Sequence, residues 1–163
     1  MTAPQFSVPL DKRYFEDYVA GPVYEYGPVS VSEAEIIRFA EKFDPQYIHI
    51  DPQKSLRGPF GGLISSGWHT ASLAMRLYAE NFILPAIALA PPAFDDLRWV
   101  KPVRPGDSLS IRVSVIDSGR SESQPNTGSV RVFLEVLNQN RETVMTAKIT
   151  NRLLCRPAPS QTT

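Results

Sequence analysis

The sequence predicts an α+β fold in which an antiparallel sheet covers one buried helix. Three observations lead to it. Four segments in the second half alternate apolar and polar side chains and are rich in Val and Ile, as half-buried strands are. Two segments in the first half carry apolar residues at helical spacing. The second of these, Gly67 to about Asn81 (GWHTASLAMRLYAEN), has little charge before Arg76. It therefore needs cover on most sides, which a curved sheet supplies.

The elements follow in order. The start, MTAPQFSVPLDKRYFEDYVAG, lacks the basic end and apolar run of a secretory signal. Tyr14 to Tyr18 is aromatic and is expected to lie on the body of the domain. Val23 to Val31 reads as a strand broken near Gly27-Pro28. Ser32 offers an N-cap and Glu35 completes a capping box. Ile36, Ile37, Phe39, Ala40 and Phe43 then predict a helix from about Glu33 to Phe43. Pro45 ends it. His49 follows on a segment expected to be non-helical, and Pro52 to Leu56 suits one helical turn. Gly58 to Gly62 is a loop signal before the apolar helix, and Pro85 lies beyond its far end. The strands are Asp95–Val100, Leu109–Ile116, Ser129–Leu137 and Thr143–Leu154. Short turn-rich connections predict a four-stranded antiparallel meander. The closing PAPSQTT is expected to fray.

Composition narrows the function. A length of 163 residues suits one domain, 1–163. Lys plus Arg and Asp plus Glu number 17 each, and the zero net charge leaves no footprint for nucleic acid or an anionic membrane. The apolar run from Ile83 to Ala93 is too short to span a bilayer. One cysteine, Cys155, forms no internal disulfide, so a cytoplasmic home is expected. It reads as a small packed hydrophobe. One Cys and two His build no structural zinc site, so no metal is expected. Imidazole chemistry must use His49 or His69.

Two stretches can carry chemistry. In Asp44-Pro-Gln-Tyr-Ile-His49 a carboxylate and an imidazole sit five apart beyond a helix end, where the chain can curl both onto one water. In the competing reading Asp44 satisfies backbone amides and His49 packs on the surface. In Phe60-Gly-Gly-Leu-Ile-Ser-Ser-Gly67 a helix start offers amides to an oxyanion, and Gly67 leaves room for a carbonyl to approach. The competing reading is a plain cap by Ser65 or Ser66. Neither a nucleotide P-loop nor a nucleophile elbow is matched. His69 is expected in the core. Arg98, Lys101 and Arg104 flank a strand-to-turn junction, where they meet ligand phosphates or line a solvated edge.

FAEKFDPQYIHIDP (Phe39 to Pro52), GPFGGLISSGWHTASLAMRL (Gly58 to Leu77) and LRWVKPVRPGD (Leu97 to Asp107) together resemble the MaoC-like acyl dehydratases and (R)-specific enoyl-CoA hydratases of the hotdog superfamily. The likeness runs from about Val23 to Leu154. It implies a hotdog, an antiparallel sheet wrapped around one long central helix, paired as a homodimer, a dimer of dimers or a higher oligomer. It implies reversible hydration of trans-2-enoyl thioesters, with Asp44 and His49 as the catalytic pair and Gly67 as the oxyanion donor. The expected substrate contacts are Gly62, Ser66, Trp68, Arg98 and Arg104. No cofactor is implied, because coenzyme A belongs to the acyl-CoA substrate.

Some positions depart from the family. Tyr47 stands where Pro is frequent, Ser66-Gly67-Trp68 where the hydratases usually have His-Gly-Met, and Met75 near a position that is Ser in some. Trp68 is large enough to narrow an acyl pocket. The rivals are a hotdog thioesterase, whose acidic residue belongs on the central helix where this chain has only Glu80, and a non-catalytic acyl-CoA-binding partner subunit.

Overall fold

A computed structural model describes residues 4–83 and 85–158. The final five residues of the PAPSQTT tail lie outside the described residues. Strands β1 (Val23–Ser30), β2 (Ala93–Trp99), β3 (Ser108–Arg120), β4 (Thr127–Leu137) and β5 (Thr143–Leu154) form one antiparallel sheet in the order β1-β3-β4-β5-β2. Helices are α1 (Glu33–Phe43), α2 (Tyr47–Ile50), α3 (Pro52–Ser55) and α4 (Gly67–Asn81). The bounds of α1, α4 and β5 coincide with those expected from periodicity and caps.

Alternation decides which face of the sheet is covered. Leu109, Ile111, Val113 and Val115 on β3, Val132 and Leu134 on β4, and Met145, Ala147 and Ile149 on β5 are all buried. They form one core with Ala74, Leu77 and Tyr78 of α4. Each large apolar side chain so buried contributes about 1.5–3 kcal/mol relative to exposure. The result is the hotdog arrangement of a sheet around α4. No helix among the described residues is long and apolar enough to cross a membrane.

The four-stranded meander does not form as expected. Only β3, β4 and β5 follow one another; β2 pairs with β5 at the far edge, opposite β1. The stretch after β2 is tied elsewhere, which prevents a hairpin. The Val103 carbonyl accepts the Ser65 amide at 2.7 Å, and residues 106–107 exchange hydrogen bonds with Val31. This stretch therefore crosses the end of the sheet and meets the start of α4. Strands β3 and β4 also run further than apolar alternation suggested. Backbone pairing continues to Arg120 opposite Gly128, past a bulge near Val115.

The N-terminal aromatics seal the other end of α4. Phe15 and Tyr18 are buried, and a Cβ at Gly128 would collide with the Phe15 ring. The Tyr18 hydroxyl donates to the Phe82 carbonyl at 2.8 Å. The buried Arg13 guanidinium donates to the Asn81 and Phe82 carbonyls, where the helix leaves acceptors unpaired. α1 begins with the expected Ser32–Glu35 capping box and buries Ile36 and Ala40. Cys155 is buried, as its position suggested.

Candidate active site

Asp44 is the last residue of α1's cap. Its amide still bonds to Ala40, but Pro45 stops the helix and its backbone turns to φ −153°. The Gln46 carbonyl then accepts the His49 amide at 2.9 Å, which starts α2. His49 therefore sits on a short helical turn and not on the non-helical segment expected. It is also buried, with 5% of its surface exposed, so it is not a surface residue.

This turn brings the pair together. His49 Nε2 lies 3.4 Å from Asp44 Oδ2. On the other side of the ring, Nδ1 meets the Ile64 carbonyl at 2.8 Å. A carbonyl only accepts, so Nδ1 carries the proton, and in the neutral ring Nε2 presents a lone pair. In that form two acceptors face each other across the gap. A hydroxyl set against both can donate to either one.

Asp44 is held as a carboxylate. Burial is the largest influence and opposes its charge. Hydrogen bonds from Ser66 Oγ to Oδ2 (2.6 Å) and from Gln46 Nε2 to Oδ1 (2.7 Å), with attraction to the His49 ring when it carries a second proton, outweigh it. The carboxyl is therefore held below its ordinary value of 3.8.

The start of α4 closes the site. Ser66 is its N-cap residue, yet its side chain makes no capping bond. The Ser66 carbonyl accepts from His69 and Thr70, so the Gly67 and Trp68 amides come first on the helix with no turn beneath them. Asp44, His49, Gly67, Trp68 and Trp99 line one cleft of about 460 Å³. The structure adds a second reason for glycine at position 67. A Cβ there would lie 2.5 Å from Cε2 of Trp99. The Trp99 indole fills the space, and its Nε1 donates to the Gly67 carbonyl at 2.8 Å.

The expected contacts divide. Trp68 is on the cleft wall. Ser66 is fully buried and turned to Asp44, so it meets the carboxylate and not open space. Arg104 donates to the Phe60 carbonyl at 2.6 Å and lies beside Gly62, and neither is on the cleft wall. Arg98 pairs with Asp96 on exposed β2 and is not on that wall either. His69 is buried, bonded to Ser65 Oγ at 2.8 Å and stacked on Phe39, and burial holds its pKa below 6.5. Among the described residues, no three His, Cys, Asp or Glu gather into a metal-ligand set.

Sequence reasoning missed Gln46, the Ile64 carbonyl and Trp99. Gln46 had a readable signal, since a polar residue two past a helix-ending carboxylate can fold back onto it. The other two depend on chain crossings that no local pattern reveals.

The same frame recurs in other proteins. The crystal structure of a MaoC-like dehydratase from Rhodospirillum rubrum matches with a TM-score of 0.81 at 34% identity, over 90% of this chain and 99% of that one. YdeM of Bacillus subtilis, an uncharacterized protein, is 31% identical over 134 residues, 82% of this chain and 94% of its own. 3-Hydroxyacyl-thioester dehydratase Z of Mycobacterium tuberculosis is 30% identical over 90 residues, 54% of this chain and 60% of its own. The MaoC like domain model matches residues 15–138, from the Phe15 anchor through the whole cleft to the end of β4, and the chain belongs to that family.

Proposed function

We propose that the protein adds water to trans-2-enoyl thioesters of coenzyme A and removes it from the 3-hydroxyacyl products. The observation that carries this reading is the Asp44–His49 pair, 3.4 Å apart, on one cleft with the start of α4. The M. tuberculosis relative is named a 3-hydroxyacyl-thioester dehydratase, which agrees with it.

In hydration, a water set against both side chains donates a hydrogen bond to Asp44. Its oxygen attacks the β-carbon while His49 Nε2 takes the other proton. The electron pair of the double bond moves toward the thioester, and negative charge develops on its oxygen. The Gly67 amide and the positive end of α4 meet that charge, an interaction worth roughly 3 kcal/mol of barrier in such sites. The imidazolium then returns its proton to the α-carbon on the same face. Dehydration reverses each step. No metal or redox cofactor enters this chemistry.

The rival hydrolysis has less support. Glu80 is exposed, pairs with Arg76 at 2.9 Å and is not on the cleft wall. The proposed enzyme works as a cytoplasmic homodimer. Strand β2 is a free edge whose Phe94 and Trp99 are exposed, and such an edge needs cover.

Loss of enoyl-thioester absorbance with crotonyl-CoA tests the reading. Asp44→Ala and His49→Ala should each lower kcat by about 10²–10⁴-fold with native circular dichroism. Full activity in either variant refutes the assignment. Rapid thiol release from a saturated acyl-CoA establishes the hydrolytic rival instead.

A further inference from the structure

Ser66 stands at the helix start, and a serine there ordinarily caps the helix through its hydroxyl. Here that bond is absent. The hydroxyl donates to Asp44 at 2.6 Å, across 22 residues of sequence. The oxygen it reaches is Oδ2, the one that faces His49. Oδ1 is held separately by Gln46. Ser66 is fully buried and Gln46 is exposed, so the Ser66 bond is the better shielded of the two from competing water.

We infer that Ser66 is a positioning residue: its hydroxyl aims Asp44 Oδ2 at the water site beside His49. It acts through Asp44 and does not touch substrate. The role rests on the proposed hydratase reading, but it has an observable independent of turnover. The ionisable group beside the carboxylate is His49 from α2; Lys101, from the stretch after β2, lines the same cleft with its ammonium paired to Glu142.

The test compares the wild type with Ser66→Ala, Ser66→Thr and Gln46→Ala. The Asp44 carboxyl is titrated by carbon NMR in each protein, and kcat and KM for crotonyl-CoA are measured against pH. Ser66→Ala should raise the Asp44 midpoint and move the acid limb of kcat in the same direction. It should lower kcat at neutral pH about 10-fold to 100-fold, the range for a lost hydrogen bond to a charged group, while KM changes little. Ser66→Thr keeps the hydroxyl and should restore both midpoint and rate. Gln46→Ala should have the smaller effect.

A lost helix cap would lower thermal stability and leave the Asp44 midpoint in place. That result overturns the inference, as does an unchanged midpoint in a folded Ser66→Ala protein. An inactive wild type whose midpoint still rises in Ser66→Ala refutes the hydratase reading and leaves the positioning role standing. An active wild type with an unmoved midpoint does the reverse.

Discussion

Gly67→Ala separates two reasons for a glycine at the start of α4. The added Cβ would lie 2.5, 2.6 and 2.8 Å from Cε2, Nε1 and Cδ2 of Trp99, all atoms of one rigid ring. The indole must move, and moving it breaks its 2.8 Å bond to the Gly67 carbonyl. Overpacking costs about 1–3 kcal/mol and the lost bond about 1. Alanine's better helix propensity returns about 1. The net destabilisation is about 2 kcal/mol. Displacing the adjacent amide from an oxyanion should also lower kcat about 10²–10³-fold. Urea unfolding measures the first effect and crotonyl-CoA hydration the second. A double-mutant cycle with Trp99→Ala assigns the cause. In that background the methyl group meets no ring, so Gly67→Ala should be neutral or stabilising. Equal destabilisation in both backgrounds refutes the indole contact as the reason for glycine.

Two further outcomes are expected. The His69 pKa is lowered on folding, so the unfolded chain binds its proton more readily. Stability contributed by the neutral ring is full above pH 6.5 and falls as pH drops toward the folded value. His69→Gln, which keeps a partner for Ser65, should flatten the decline in unfolding temperature over that window; an unchanged slope places it elsewhere. Phe94→Lys puts a charge on the β2 edge, and light scattering should show the proposed dimer replaced by a monomer near 18.2 kDa. A dimer of unchanged stability rules out that edge as the interface.

Much of this fold was legible because its signals are local. The Ser32–Glu35 box and Pro45 bracket α1, and the long run of small and apolar residues after Gly67 marks α4. The Asp44–His49 pairing was legible as a spacing, since five residues interrupted by a proline can curl on themselves. Its burial was not, because the Ile64 carbonyl that fixes the ring comes from another segment. The place of β2 was hidden for the same reason. Its connection to β3 is short enough for a hairpin, and only the bonds of Val103 to Ser65 and of residues 106–107 to Val31 lead it across. Ser66 and Gly67 show the limit clearly. Both residue types fit a helix start, so local chemistry could not disclose that one is turned to Asp44 and the other makes way for Trp99.

Four consecutive residues, Ile64 to Gly67, supply a carbonyl to His49, a hydroxyl to His69, a hydroxyl to Asp44 and the first amide of α4. The run is anchored at its start by the amides of Ile64 to Ile48 and Ser65 to Val103, and at its end by the Trp99 indole on the Gly67 carbonyl. Insertion or deletion of one residue would misplace all four groups together, so this run tolerates almost no change in length. Trp68 and Val100 border the cleft without supporting the dyad. They are free to vary in size and shape one at a time. The protein thus separates an inheritance that must be kept whole from walls that can diverge, and descendants of such a chain can change the shape of the cleft while keeping the Asp44–His49 pair.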